Sequence, residues 1–241
     1  MALCLKGICG RRNIAFLKAE FDLRVRNLAY SEPTVESHLP KEPFKPIPSI
    51  TIQFWDPSLP LARDAETIKI YSHHAFGTGK HPTTRLCLMY LDKMTHNPSL
   101  DWRLHGREVL DFGCGTGVLA IAAVKMGAEK ALGVEIDPQS AQTAKKNVEI
   151  NRLTEKILIK QGSWEVVEEK YDLILANLVT AALFRAGKYI ANYLKYNGRI
   201  VISGFSTNQQ GEIKEFFRKQ GLVATDRSSL EGWSAMVLVK N

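Results

Sequence analysis

The chain has 241 residues, room for one large domain or for a domain of about 150 residues with a smaller appendage. Its 45% hydrophobic and 24% charged residues are the make-up of a soluble globular protein, and no apolar run approaches the roughly 18 residues that span a membrane. The net charge of +7, from 32 basic and 25 acidic residues, fits ordinary solubility and also fits work beside an acidic surface such as a ribosome, so it excludes neither.

The opening MALCLKGICGRR has too short an apolar part for a secretory signal, with its arginines on the wrong side, and Glu20 and Asp22 oppose a long presequence. The expected compartment is the cytoplasm. Cys4, Cys9, Cys87 and Cys114 form no CxxC pair and read as reduced thiols, not as a disulfide framework or a zinc site. Residues 1–30 are mixed and basic, a candidate for weak ribosome or RNA contact, and 14–25 fits a strand or a helix equally well. Between Pro33 and Pro60 the chain carries seven of its ten prolines, which marks a linker with one strand at 49–55. The expected division is a short N-terminal segment and linker over 1–66, then one domain over 67–241.

Residues 67–71 (TIKIY) alternate as a strand does. In the following stretch Gly77-Thr78-Gly79 reads as a flexible loop, Thr83 or Thr84 as the cap of a helix, and Leu86, Leu88, Met89 and Leu91 as that helix's core face. His73, His74 and His81 have no carboxylate or cysteine at a ligand spacing, so loop and capping roles are expected and no metal.

The centre of the chain is 107–138. A short apolar strand with Val109, Leu110 and Phe112 runs directly into Gly113, Gly115 and Gly117. An apolar helix follows over 118–126, then a strand over 131–136 with Glu135 near its end. This is a βαβ unit, which places a ligand crevice at the carboxyl ends of its strands. Glycines let the backbone turn tightly and approach a ligand, and a carboxylate on the next strand suits the hydroxyls of a ribose. A dinucleotide and S-adenosylmethionine both fit, although the spacing G-x-G-x-G departs from the dinucleotide pattern G-x-G-x-x-G.

A helix to about Ile150 comes next, then a strand at 156–160 and Trp164, which suits either an adenine face or the core. A strand at 171–176 ends in Asn177; a helix covers 179–194, a strand 198–204, a helix 209–220, and two strands close the chain around a turn at 230–232. Seven strands with helices between the first five and a terminal hairpin predict an α/β fold with a doubly wound, mostly parallel, Rossmann-like sheet and an antiparallel last strand. A dinucleotide fold would continue its βα alternation, so the hairpin favours S-adenosyl-L-methionine.

With these residues in place, the chain resembles the class I S-adenosylmethionine-dependent methyltransferases that methylate amino groups of the eleventh large-subunit ribosomal protein. The resemblance rests on AFGTGKHPTT (75–84), LDFGCGTGVLAIAAVKMGA (110–128) with EIDP (135–138), and ANL (176–178), with SGF (203–205) and EGW (231–233) in support. It implies that Thr84 lies beside the cofactor, that Gly113 and Gly115 take its methionine end, that Glu135 holds the ribose hydroxyls where the family usually has Asp, and that Asn177 faces both cofactor and incoming amine. No residue must act as a general base; Asn177 and the loop at 75–78 are positioning candidates. Lys80 stands where threonine is common, beside the expected substrate path.

Enzymes that methylate adenine amino groups usually show Asn-Pro-Pro-aromatic where this chain has Asn177-Leu178-Val179, so a protein amine is preferred to a nucleobase. The family's substrate-gripping domain precedes its linker; here about thirty residues precede the prolines, below the roughly 40 residues of an independent core, so that domain is expected to be shortened or missing. The resemblance implies protein lysine side chains or an N-terminus, in a ribosomal protein, as methyl acceptors. Another protein lysine (as in the related mitochondrial enzymes acting on electron-transfer flavoprotein), an RNA or a small molecule is the alternative, and a non-catalytic nucleotide-binding protein a further one.

Overall fold

Val109, Leu110, Leu173, Leu175, Ile200 and Val201 are all fully buried, and they lie on neighbouring strands of a seven-stranded sheet. Strands buried on both faces read as near-continuous apolar runs, which is how these segments appear in sequence. The computed structural model describes residues 42–58, 66–72, 75–97 and 101–240. The basic segment before Pro33, His73 and His74 lie outside the described residues.

The first strands are β1 (Phe44–Ile47), β2 (Ile50–Phe54) and β3 (Thr67–Ile70), followed by helix α1 (Pro82–His96). The central unit is β4 (Glu108–Phe112), α2 (Val118–Lys125), β5 (Lys130–Glu135), α3 (Pro138–Ile150) and β6 (Ile157–Gln161). Then come β7 (Tyr171–Asn177), α4 (Thr180–Ile190), β8 (Leu194–Ser206), α5 (Gln210–Lys219), β9 (Leu222–Leu230) and β10 (Trp233–Lys240).

The large sheet has the order β6-β5-β4-β7-β8-β10-β9. β4 pairs in parallel with β5 and β7, β5 with β6 and β7 with β8, whereas β10 runs antiparallel to β8 and to β9. The expected doubly wound sheet with its reversed last strand is therefore observed. One expected helix is missing: β6 and β7 are joined by a single 3₁₀ turn at Trp164–Val166. The order reverses between β4 and β7, and their carboxyl ends form the switch point where open α/β sheets bind ligands.

One face of the sheet buries Leu86, Leu91, Leu119, Ala120, Ile121 and Val148 from α1, α2 and α3; the other buries Leu183, Ile190, Ile213 and Phe217 from α4 and α5. The proline-rich stretch holds more order than expected, because β1 and β2 pair antiparallel and β2 pairs in parallel with β3. Ile50, Ile52, Phe54, Ile68 and Ile70 of this small sheet join the core on the α1–α3 side.

The helix after the glycine loop differs from expectation at Met89, and of the capping roles expected for Thr83, Thr84 and the histidines it uses that of a histidine. Met89 is exposed, while Leu86, Leu88 and Leu91 are buried as expected, since Met89 lies on the side of the helix opposite Cys87 and Leu91, at the centre of the buried stripe. The cap is His81, whose Nδ1 accepts from the Thr83 N–H, with Pro82 at the first helical position, where its missing donor costs nothing. No helix among the described residues is long and apolar enough to cross a membrane.

Candidate functional site

The turn after β4 is built by Gly113, Gly115 and Gly117, with φ of 75°, 54° and 78°. Crowding requires them as much as curvature does. A Cβ on Gly113 would lie 2.4 Å from Leu178 Cδ2, and one on Gly115 would lie 2.2 Å from the Phe76 carbonyl oxygen. The backbone donors of this turn are all committed within the protein. Gly113 and Cys114 donate to the Val134 carbonyl at 2.8 and 3.0 Å, Thr116 to Phe76 at 2.9 Å and Gly117 to Cys114 at 2.7 Å. Gly115 donates to Glu135 Oε2 at 2.9 Å. The turn is thus no anion cradle of the kind a pyrophosphate needs.

Helix α2 starts on Gly117 without a side-chain cap. Asp111, buried in β4, serves instead by accepting from the Ala120 N–H at 3.0 Å. Burial pushes its carboxyl up to about 7; the Ala120 bond opposes the shift and the nearby Glu135 charge adds to it. Glu135, at the end of β5, accepts from Gly115 through Oε2 and from the Asp137 N–H through Oε1 at 3.0 Å. Burial raises its carboxyl above the ordinary range, and these N–H bonds act against that rise. Two donors leave a carboxylate with further acceptor capacity, which a pair of hydroxyls can use.

The loop at 75–81 is pinned on two sides. The Thr116 hydroxyl donates to the Gly77 carbonyl at 2.5 Å, tying the loop to the glycine turn. A Cβ on Gly79 would come within 2.1 Å of Ile52 Cδ1, so the loop also rests on β2. Lys80 sets its ammonium 5.9 and 5.6 Å from the rings of Phe44 and Phe54, a cation–π contact with the small sheet.

Thr84 and Asn177, ninety-three residues apart, meet: Asn177 Nδ2 donates to Thr84 Oγ1 at 3.3 Å. Just beyond, the Leu178 N–H donates to the Ser203 carbonyl at 3.0 Å, and Gly204 passes so close that its Cβ would lie 2.1 Å from the Leu178 oxygen. Gly113, Gly115 and Glu135 therefore form one cluster and Thr84 and Asn177 another, with Leu178 filling the space between Gly113 and Gly204.

Sequence reasoning missed Asp111 and Thr116 as parts of this region, although a carboxylate inside an otherwise apolar strand was a readable signal for the first. Trp164 stacks on Tyr189 at 4.5 Å with an interplanar angle of 12°, so that ring has a protein partner. Cys87 and Cys114 are buried free thiols, and burial pushes both upward. Among the described residues no three His, Cys, Asp or Glu side chains are grouped to hold a metal ion.

This strand order, with the reversed β10 and a glycine turn and carboxylate at the switch point, defines a class I methyltransferase fold. The profile of the ribosomal protein L11 methyltransferase (PrmA) family matches residues 20–241, and the chain belongs to that family. It is 35% identical over 219 residues to the ribosomal protein L11 methyltransferase of Neisseria meningitidis, covering 88% of this chain and 70% of that one. To the protein of the same name from Chromohalobacter salexigens it is 38% identical over 159 residues, covering 66% of this chain and 50% of the relative. The chain spans about half the length of several such relatives, 54% in the case of Shewanella frigidimarina. Among solved structures it is similar to a ribosomal protein L11 methylase from Lactobacillus delbrueckii subsp. bulgaricus, with a TM-score of 0.70, 25% identity, and 83% of this chain and 98% of that one covered. A tRNA methyltransferase of B. subtilis shares the fold with a TM-score of 0.52, 21% identity, and 63% of this chain and 65% of that one covered.

Proposed function

We propose that this chain transfers methyl groups from S-adenosyl-L-methionine to amino groups of a protein, lysine side chains or an N-terminus, and that ribosomal protein L11 is the substrate. The observation that carries the reading is the glycine turn at the switch point, whose N–H groups are all used internally and whose Gly115 is tied to the buried Glu135. Such a turn suits a cofactor with a cationic methionine end and a ribose, and suits a pyrophosphate poorly. In this reading Glu135 accepts from the ribose hydroxyls, the carbonyls of Gly113 and Gly115 face the α-ammonium group, and Thr84 borders the cofactor beside Asn177.

The sulfonium would supply an activated methyl carbon, open to in-line attack by an amine lone pair, with the electron pair of the breaking C–S bond leaving on sulfur as a neutral thioether. What remains for the chain is positioning and removal of water, worth on the order of several kcal/mol of barrier. Asn177 sits at the end of β7, its amide held by Thr84, and it orients the incoming nitrogen through its remaining hydrogen-bonding capacity. Burial beside Leu178 favours the neutral amine, because a desolvated ammonium loses its proton more readily. Leu178 and Val179 provide no ring on which a flipped base could stack, which supports a protein acceptor over a nucleobase. A ribosomal-protein acceptor implies the cytoplasm, with the basic segment before Pro33 as a candidate contact to the ribosome.

Incubation with radiolabelled cofactor, ribosomal proteins and ribosomal RNA, with and without ribonuclease, tests the reading. Label in one protein band that survives ribonuclease is expected; label confined to RNA would replace it with the alternative acceptor class.

A further inference from the structure

At the tip of the β9–β10 hairpin Leu230 pairs directly with Trp233, so Glu231 and Gly232 alone make the turn. Their φ values are 52° and 80°, both in the left-handed region. Two-residue turns of this kind favour Asn, Asp or Gly at the first position, and a glutamate there is uncommon. Its carboxylate has a partner: Arg85 of α1 donates to Glu231 at 3.0 Å. Beside it the Trp233 ring meets His81 edge-on at 5.0 Å, and His81 meets Phe76 in the same manner at 5.2 Å. The carbonyls of Phe76 and Gly77 are the ones that accept from Thr116 in the glycine turn. A continuous set of contacts thus joins the hairpin tip to the glycine turn, while the Thr207 N–H fixes the tip to the end of β8 by donating to Gly232 at 2.9 Å.

We propose that the turn at 231–233 is a latch that holds the 75–81 loop against the glycine turn, with Glu231 and Trp233 acting as positioning residues through Arg85 and His81. Hairpin stability alone would be better served by Asn at 231, so the backbone cost is borne for the carboxylate. The Arg85–Glu231 pair is partly exposed, with side-chain accessibilities of 34% and 60%, and such pairs contribute little to global stability. Its effect is the alignment of α1 and the loop that leads into it. The ligand that benefits rests on the S-adenosylmethionine reading above; the latch itself does not.

Two substitutions in the full chain separate latch from scaffold. Glu231→Asn gives the turn its preferred residue while removing the Arg85 partner. His81→Asn keeps a good helix cap while removing the ring between Phe76 and Trp233. The expected result in each ligand-free variant is hydrogen exchange about tenfold faster over 75–81, with a thermal midpoint in Glu231→Asn that does not fall. The double variant should bind S-adenosylmethionine about threefold to tenfold more weakly, as the binding-competent fraction of the loop drops. Unchanged exchange over 75–81, or exchange that quickens equally throughout the chain, overturns the latch. If the unsubstituted protein binds no S-adenosylmethionine, the cofactor reading falls, and the exchange data still decide the latch.

Discussion

Asp111 stands in the second-last position of β4 with its carboxyl pushed up to about 7, chiefly by burial. In the unfolded chain an aspartate titrates near 4, so between these values the folded state binds the extra proton. Stability associated with Asp111 is therefore greatest at low pH and is lost as pH rises from about 4 to about 7. Asp111→Asn retains an acceptor for the Ala120 N–H and has nothing to titrate. The variant should gain on the unsubstituted protein by about 2 to 3 kcal/mol between pH 5 and pH 8, read from urea midpoints at the two values. A difference independent of pH would show that the carboxyl is ionised throughout. Asn177 makes a separate residue-scale case. Asn177→Ala should lower kcat by about a hundredfold with little change in cofactor affinity, because it removes orientation of the amine and leaves Glu135 and the glycines intact. Equal losses in kcat and cofactor affinity, from steady-state rates and calorimetry, would place Asn177 on the cofactor alone.

Between elements, an asparagine of α3 and the one that caps its carboxyl end join the small sheet to the helical layer. Asn147 accepts from the Tyr71 N–H at 2.7 Å and donates to the carbonyls of Tyr71 and Thr116 at 3.0 and 2.9 Å. Asn151, one turn on, accepts from the Lys69 N–H at 3.0 Å and donates to the Lys69 carbonyl at 2.7 Å. Their amides thus take the place of a neighbouring strand beside β3, and Asn147 adds a link to the glycine turn. Asn147 is fully buried, and Asn147→Ala would strand three backbone groups, so a loss of about 2–4 kcal/mol is expected in denaturant unfolding. A loss below about 1 kcal/mol would mean that water replaces the amide. This packing was not readable in sequence. The α3 segment shows Ala141, Ala144 and Val148 as its apolar face, and nothing local marks an asparagine as a long-range partner. The β4-turn-α2-β5 unit was readable, because its periodicity and glycine spacing are local properties. The cap of α1 was open in sequence between Thr83 or Thr84, the stronger capping types, and a histidine, and the fold shows His81 taking that place.

Across the whole molecule, the stretches that carry the family resemblance become neighbours. AFGTGKHPTT reaches the glycine turn through Thr116 and meets ANL through the Thr84–Asn177 bond. SGF runs alongside ANL, with Asn177 opposite Ser203, and EGW meets the first stretch through His81–Trp233 and the residue just after that stretch through Arg85–Glu231. The family was legible before the geometry because these motifs are compact; their convergence was not, since it depends on strand order. The strand expected at 49–55 is β2, and β1 was missed for a related reason. Prolines at Pro43, Pro46 and Pro48 flank or sit in β1, an edge strand of the small sheet, where a missing donor is tolerated. In the proposed function the switch-point site moves a methyl group from S-adenosylmethionine to a protein amine. Mass spectrometry of purified ribosomal protein L11 after incubation with the chain and the cofactor tests it most directly. Mass increments of about 14 Da are expected, located on lysine or the N-terminal amine and abolished by Glu135→Ala, which removes the proposed ribose acceptor. No increment on any amine of this substrate, with methyl groups appearing on RNA instead, would contradict it.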